Sequence, residues 1–312
     1  MQRDLRAVEE AAMREIAHHE RAEREQPKLG EILFSIAKDI EKPEPWIPTG
    51  LEPLDKLLDG GIRRGEVFVL AARPSVGKSA MALQIILNVA YAGHPVALWS
   101  LEMRPKQWMR RALAAESGIH PSALRTGTVP EHQLQAFIDA SQRLHALPLH
   151  FAVGETDPET WRMEAMRQAM HHDVRLMVID YLQLMDPPRN AYSRENEVAQ
   201  TSKAIKQFAN TAGVAVLLLA QLNRDAEGRV PTKRDLRESG SIEQDADEIF
   251  FLHRDMEPET NTLLDTGLGI LAKNRDGETG AFGLEFMPRE FRFYPRERQA
   301  ESQDWRKGRR RA

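Results

Sequence analysis

Hydrophobic positions follow two rhythms along this chain. Between residues 29 and 40, Leu29, Ile32, Leu33, Ile36 and Ile40 recur at i, i+3 and i+4, the stripe of an amphipathic helix. Pro43 and Pro45 then stop it. From Trp46 onward, short apolar runs alternate with longer amphipathic stretches. Strands are expected at 66–72, 95–101, 175–184, 214–221, 247–253 and 268–274. Helices are expected at 78–92, 105–116, 131–145, 158–171 and 194–212. Gly93 and Gly213 stand where C′ glycines end two of those helices. Short apolar strands alternating with helices predict an α/β fold with a mostly parallel central sheet covered on both faces. Residues 281–294 alternate around Pro288-Arg289-Glu290, which predicts a C-terminal β-hairpin. Residues 1–28 are dense in charge with a thin apolar stripe, the pattern of a solvated or frayed helical extension. Residues 296–312 are polar and end Arg306-Lys307-Gly308-Arg309-Arg310-Arg311. They read as a disordered basic tail that either touches nucleic acid or solubilises the chain.

Composition narrows the function classes. Of 312 residues, 41% are hydrophobic, enough for a sizeable core, and the net charge of −4 carries no global basic excess. Any nucleic-acid contact must therefore come from local patches. The absence of cysteine excludes disulfides and thiolate metal sites. No apolar run approaches the roughly 18–20 residues that span a bilayer. Met1-Gln2-Arg3-Asp4 does not begin an apolar leader. The expectation is a soluble, cytoplasmic protein with no membrane partner. His18-His19 and His171-His172 are adjacent pairs that share no helix face and read as surface histidines.

The densest chemistry follows the run Val67-Phe68-Val69-Leu70-Ala71. There Ala72-Arg73-Pro74-Ser75-Val76-Gly77-Lys78-Ser79 joins an apolar strand to a helix start. Such a loop cradles phosphate with backbone N–H groups. Lys78 supplies a point charge for the β- and γ-phosphates, and the Ser79 hydroxyl is placed for Mg²⁺. A first glycine is usual in this loop; here the position is Ala72. Asp180 ends the run Leu176–Ile179, as a carboxylate on the far side of Mg²⁺ should. Glu102 ends the run 96–101, placed either to orient an attacking water or to cap the next helix. Gln221 ends 217–220, as a γ-phosphate sensor or a plain polar terminus. Lys273 and Arg275 lie two apart, hence on one strand face. They suit either a solvated edge or a neighbouring subunit's triphosphate. Arg224, Arg229, Lys233, Arg234 and Arg237 cluster after Gln221, diluted by Asp225, Glu227 and Asp235, and Gly228 and Gly240 are expected to keep that loop mobile. Without aromatics, that loop either grips a phosphodiester backbone without reading sequence or is ordinary solvated charge. A second loop around Arg189 is a further candidate.

Four strings together resemble the successive motifs of the replicative DnaB helicase family: 71–79, Ser100-Leu101-Glu102-Met103, Ile179-Asp180-Tyr181-Leu182-Gln183-Leu184-Met185 and Ala220-Gln221-Leu222-Asn223-Arg224. A fifth, Asp235-Leu236-Arg237-Glu238-Ser239-Gly240-Ser241-Ile242-Glu243-Gln244-Asp245-Ala246-Asp247, is the most specific. The resemblance covers residues 29–294. It implies a RecA-like P-loop core at 46–295 that binds ATP and Mg²⁺ and hydrolyses ATP, driving a hexameric ring along single-stranded or forked DNA. Lys78 and Ser79 would bind phosphate and Mg²⁺, Asp180 would support the metal, Glu102 would be the catalytic base and Gln221 the sensor. Lys273 and Arg275 resemble the trans-acting pair, and Arg237, Glu238 and Gly240 the loop that holds DNA. The segment 29–45 resembles the linker helix that docks on an adjacent protomer. A helicase loader or primase is an implied partner. The family's N-terminal helical domain reads as missing or much reduced. The alternatives are a RadA-like recombination ATPase and a regulator or loader that does not translocate.

Overall fold

The computed structural model describes residues 29–41, 46–152, 158–180, 194–223, 229–257, 259–260 and 262–296. The chain divides into two units, Met1–Trp46 and Ile47–Ala312. In the first, α1 (Leu29–Glu41) forms as its stripe predicts, and Leu29, Ile32, Leu33, Ile36 and Ile40 are all exposed.

The second unit is built on a nine-stranded sheet: β1 (Val67–Ala72), β2 (Val96–Ser100), β3 (Leu149–Ala152), β4 (Leu176–Asp180), β5 (Ala215–Gln221), β6 (Glu248–Met256), β7 (Leu263–Asn274), β8 (Gly280–Met287) and β9 (Arg292–Arg296). Their spatial order is β3-β2-β4-β5-β1-β6-β7-β8-β9. The first six in that order run parallel, and β7, β8 and β9 add antiparallel. The helices are α2 (Glu52–Leu57), α3 (Lys78–Tyr91), α4 (Pro105–Ser117), α5 (Pro121–Thr126), α6 (Leu134–His145), α7 (Pro158–His171), α8 (Arg194–Ala212) and α9 (Gly240–Asp245).

The continuous apolar runs are explained by burial on both faces. Phe68, Leu70, Leu98, Val178, Leu217 and Phe250 face a core shared with α2, α3 and Trp108 of α4. Val69, Trp99, Ile179, Leu218 and Phe251 face a second core with α7, α8 and Ile242 of α9. There Trp161 packs edge-on against Trp99 and Phe208, with centroids 6.1 and 5.5 Å away. Gly93 and Gly213 follow α3 and α8 with φ of 85° and 59°, as helix-ending glycines do.

The expected strands are all present, with corrections. β7 begins at Leu263 rather than 268, and the expected hairpin 281–294 is β8 and β9 joined to the main sheet through β7. The strand expected at 175–184 is β4, ending at Asp180; residues 181–184 lie outside the described residues. The helix expected at 131–145 begins as a 3-10 turn, Glu131–Gln133. The loop expected across 224–240 contains a 3-10 segment, Lys233–Ser239, that leads into α9. Residues 1–28 and 297–312 lie outside the described residues.

Candidate functional site

The parallel strands deliver their C-terminal ends to one rim, where ligands of open α/β sheets sit. At the centre of that rim β1 runs out into the 72–79 loop. Val76 is buried and anchors the loop in the core. Gly77 has φ of 113°, and a Cβ there would lie 2.8 Å from the Phe293 ring. Only glycine therefore lets the chain turn under β9 into α3, whose first two residues are Lys78 and Ser79. Gln84 of α3 clamps β9 in place: its amide donates to Phe293 O at 2.8 Å and accepts from Phe293 N at 2.7 Å.

Lys78, Asp180 and Glu102 come together above this rim. Lys78 Nζ lies 4.0 Å from Asp180 Oδ1. Burial pushes the Lys78 ammonium's pKa down, while Asp180 and Glu102 hold it up. Asp180 is fully buried, and burial pushes its pKa up against the pull of Lys78. Its Oδ2 accepts from Ser100 Oγ at 3.4 Å, and its Oδ1 has no hydrogen-bond partner among the described residues. A buried carboxylate oxygen without a donor, beside a lysine and facing a phosphate loop, fits a divalent cation. Ser100 also accepts from Trp108 Nε1 at 3.0 Å and Met103 N at 3.1 Å. The same hydroxyl thus steadies Asp180 and the turn that carries exposed Glu102. Gln221 pairs in register with Ala72, and Leu222 N donates to Ala72 O at 3.1 Å, so the amide stands at the mouth of the loop.

The sequence did not single out Arg111. It feels both Asp180 and Glu102, and its guanidinium lies 6.0 Å from the Phe291 ring centre. The available signal was spacing on α4, where Arg111 sits three residues after buried Trp108 and so near its inward face.

Lys273 and Arg275 are elsewhere. Asn274 pairs with Glu248, and Glu248 with Phe68 at the start of β1. The two cations therefore flank the opposite rim, roughly 13–17 Å from the loop at about 3.3 Å per residue. Nor is β7 a solvated edge, since β6 and β8 flank it. Lys273 Nζ donates to the carbonyls of Glu243, Gln244 and Ala246 around the end of α9. Arg275 Nη1 donates to Asp247 Oδ1 at 2.9 Å. Of the residues expected to hold DNA, Arg189 and Arg224 lie outside the described residues. Arg237, Glu238 and Gly240 fall on the 3-10 segment and the start of α9.

Residues 46–295 match the family model described as the DnaB-like helicase C-terminal domain. The chain belongs to this DnaB-like family. It is 36% identical over 249 residues to the replicative DNA helicase DnaB of Treponema pallidum (strain Nichols), covering 79% of this chain and 55% of that protein. It is 37% identical over 263 residues to the replicative DNA helicase DnaC of Bacillus subtilis (strain 168), covering 81% and 57%. The chain therefore spans little more than half the length of these DnaB-like relatives. Among solved structures, one described as an ATPase domain superposes with a TM-score of 0.80 at 30% identity, covering 88% of this chain and all of that one. A DnaB-like replicative helicase, described with its interactions with primase, gives a TM-score of 0.74 at 30% identity, covering 86% and 67%. The DnaB-like fold accounts for the RecA-like α/β core, and family membership sets aside the RadA-like alternative.

Proposed function

We propose that this chain is the motor of a replicative DNA helicase: it hydrolyses ATP between copies of itself in a ring, most simply a hexamer, that moves on single-stranded DNA at a fork in the cytoplasm. The observation that carries this reading is the split of the charged groups between two rims of one sheet. Lys78, Asp180, Glu102 and Gln221 share the loop's rim; Lys273 and Arg275 sit at the other. A triphosphate on the loop is out of reach of its own chain's Arg275, and a second copy must supply it.

The roles follow from placement. Backbone N–H groups of the loop from Ser75 onward and of the start of α3, with the Lys78 ammonium, bind the phosphates. Ser79 and Asp180 would hold Mg²⁺, which supplies charge neutralisation at the β- and γ-phosphates when bound. Glu102 is exposed and adjacent, and orients and deprotonates the attacking water. Gln221 senses the γ-phosphate through a neutral amide. Arg275 of the next copy stabilises charge as it develops on the transferred group. Arg237, Glu238 and Gly240, with Arg189 and Arg224, would hold the DNA backbone. The exposed apolar stripe of α1 would pack on the adjacent protomer. A primase or loader is the class of partner expected on such a ring.

The test is DNA-stimulated ATPase and strand displacement on a forked duplex. Lys78→Ala and Glu102→Gln abolish turnover. Mixing Arg275→Ala with Lys78→Ala subunits restores part of it, because each supplies the half-site the other lacks. No rescue at any ratio defeats the shared site. ATP hydrolysis without strand displacement would instead leave a non-translocating regulator.

A further inference from the structure

Arg275 is useful only if its guanidinium is presented to a neighbour at a fixed distance and angle. Asp247 is built to set both. It is buried, and its carboxylate oxygens divide between two tasks. Oδ1 accepts from Arg275 Nη1 at 2.9 Å. Oδ2 accepts from Lys206 Nζ of α8 at 2.6 Å and from Val67 N, at the start of β1, at 2.8 Å. Its backbone repeats the pattern: Asp247 N donates to Val67 O at 3.0 Å, and Arg275 N donates to Asp247 O at 3.1 Å. Arg275 is thus gripped by main chain and side chain at one residue, which is itself fastened to a core strand and a core helix.

The geometry leaves the finger usable. The Arg275 side chain is 56% exposed although one nitrogen is engaged. A guanidinium is a rigid planar fork with five N–H donors. Holding one edge on a buried carboxylate aims the opposite edge at solvent and removes the freedom that a flexible side chain would lose on contact. Lys206 balances the Asp247 charge, so the carboxylate is not obliged to neutralise Arg275 fully.

We propose that Asp247 is the positioning residue of the trans-acting arginine: it holds Arg275 by one edge of the guanidinium so that the other edge meets the γ-phosphate on the neighbouring copy. The inference rests on the shared-site reading above. Asp247 touches no substrate and acts only through Arg275.

Asp247→Asn in the full chain is the test, read by DNA-stimulated ATPase with ATP varied. The expected result is a fall in kcat of roughly 10–100-fold, as for a small misplacement of a catalytic group, with KM for ATP little changed. Two further readouts separate positioning from structure. Mixed with Lys78→Ala subunits, Asp247→Asn subunits regain activity, because their own loops are sound and the partner's finger is intact. In an Arg275→Ala background, Asp247→Asn causes no additional loss, since both act on one contact. Loss of activity that is additive with Arg275→Ala overturns the proposal. So does failure of Asp247→Asn to be rescued while Arg275→Ala is rescued, and in that case the shared site stands. If neither variant is rescued, the shared site fails and Asp247's role with it. Should Asp247→Asn melt at working temperature, Asp247→Glu keeps the charge and lengthens the arm by one methylene. It should show a smaller kcat loss and the same rescue, and an unaltered kcat would overturn the proposal.

Discussion

The Glu66 and Glu248 carboxyls interact at the rim that carries Arg275. The Glu248 carboxyl is pushed from its ordinary 4.5 up to about 9, first by burial, then by its bond to and repulsion from Glu66 and by the charge of Asp247. Its folded-state pKa lies above the unfolded value. The proton therefore stabilises the fold fully below the unfolded pKa, and that contribution is lost as pH rises toward about 9. Within this window the slope for one proton is about 1.4 kcal/mol per pH unit. Raising the pH from ~7 to ~8.5 should therefore cost about 2 kcal/mol through the Glu66–Glu248 pair. Glu248→Gln keeps a donor toward Glu66 and cannot ionise. Urea unfolding followed by circular dichroism at the two pH values, in matched salt, should show the wild type losing about 2 kcal/mol more than Glu248→Gln. Equal losses in the two proteins would refute the shared proton. This window also lies above the titration of His150 and His253, half-buried residues whose pKa burial lowers.

Asp180→Asn removes a buried charge and its bare oxygen. A fluorescent ATP analogue should lose its Mg²⁺-dependent gain in affinity, while Tm stays level or rises. Gly77→Ala forces a Cβ to 2.8 Å from Phe293 at a φ of 113°; Tm should fall by the equivalent of about 1–3 kcal/mol, and ADP binding should weaken. Phe293→Leu in the same chain should relieve the clash but not the backbone strain, so rescue would be partial. Gln84→Ala strips β9 of two hydrogen bonds to α3. It should cost about 1–3 kcal/mol and raise hydrogen exchange in β8 and β9 ahead of the parallel strands.

What the sequence disclosed was local. Val67–Ala72 is an unbroken apolar run, and the loop that follows it ends in Gly-Lys-Ser; neither feature needs a distant partner to be read. β3 escaped because it is four residues, mostly half-buried, with His150 inside it. The first half of β7 escaped because Asp265 and Thr266 leave it no apolar run ahead of Gly267 and Gly269. In the sheet they are clearances: a Cβ at Gly267 would meet His253 O at 2.1 Å, and one at Gly269 the Phe250 ring at 2.7 Å. The alternation at 281–294 showed a hairpin but not where it lands, because Gln84 and Phe293 are 209 residues apart. The same limit hid Asp247's hold on Arg275, which joins residues 28 apart across two strands. Arg111 was hidden differently: its approach to Asp180 and Glu102 depends on which face of α4 turns inward.

The six residues of β1, every one enclosed, act as a ruler between the two rims of the sheet. One end is fastened through Val67 to Asp247, which also accepts from Arg275, and the other opens into the 72–79 loop. A rod packed on all sides has no soft joint at which to bend. In an assembly of such domains, the spacing between what a copy gives its neighbour and what it keeps is constant through the cycle. On the proposed reading of a ring, stepping would come from whole copies pivoting on one another.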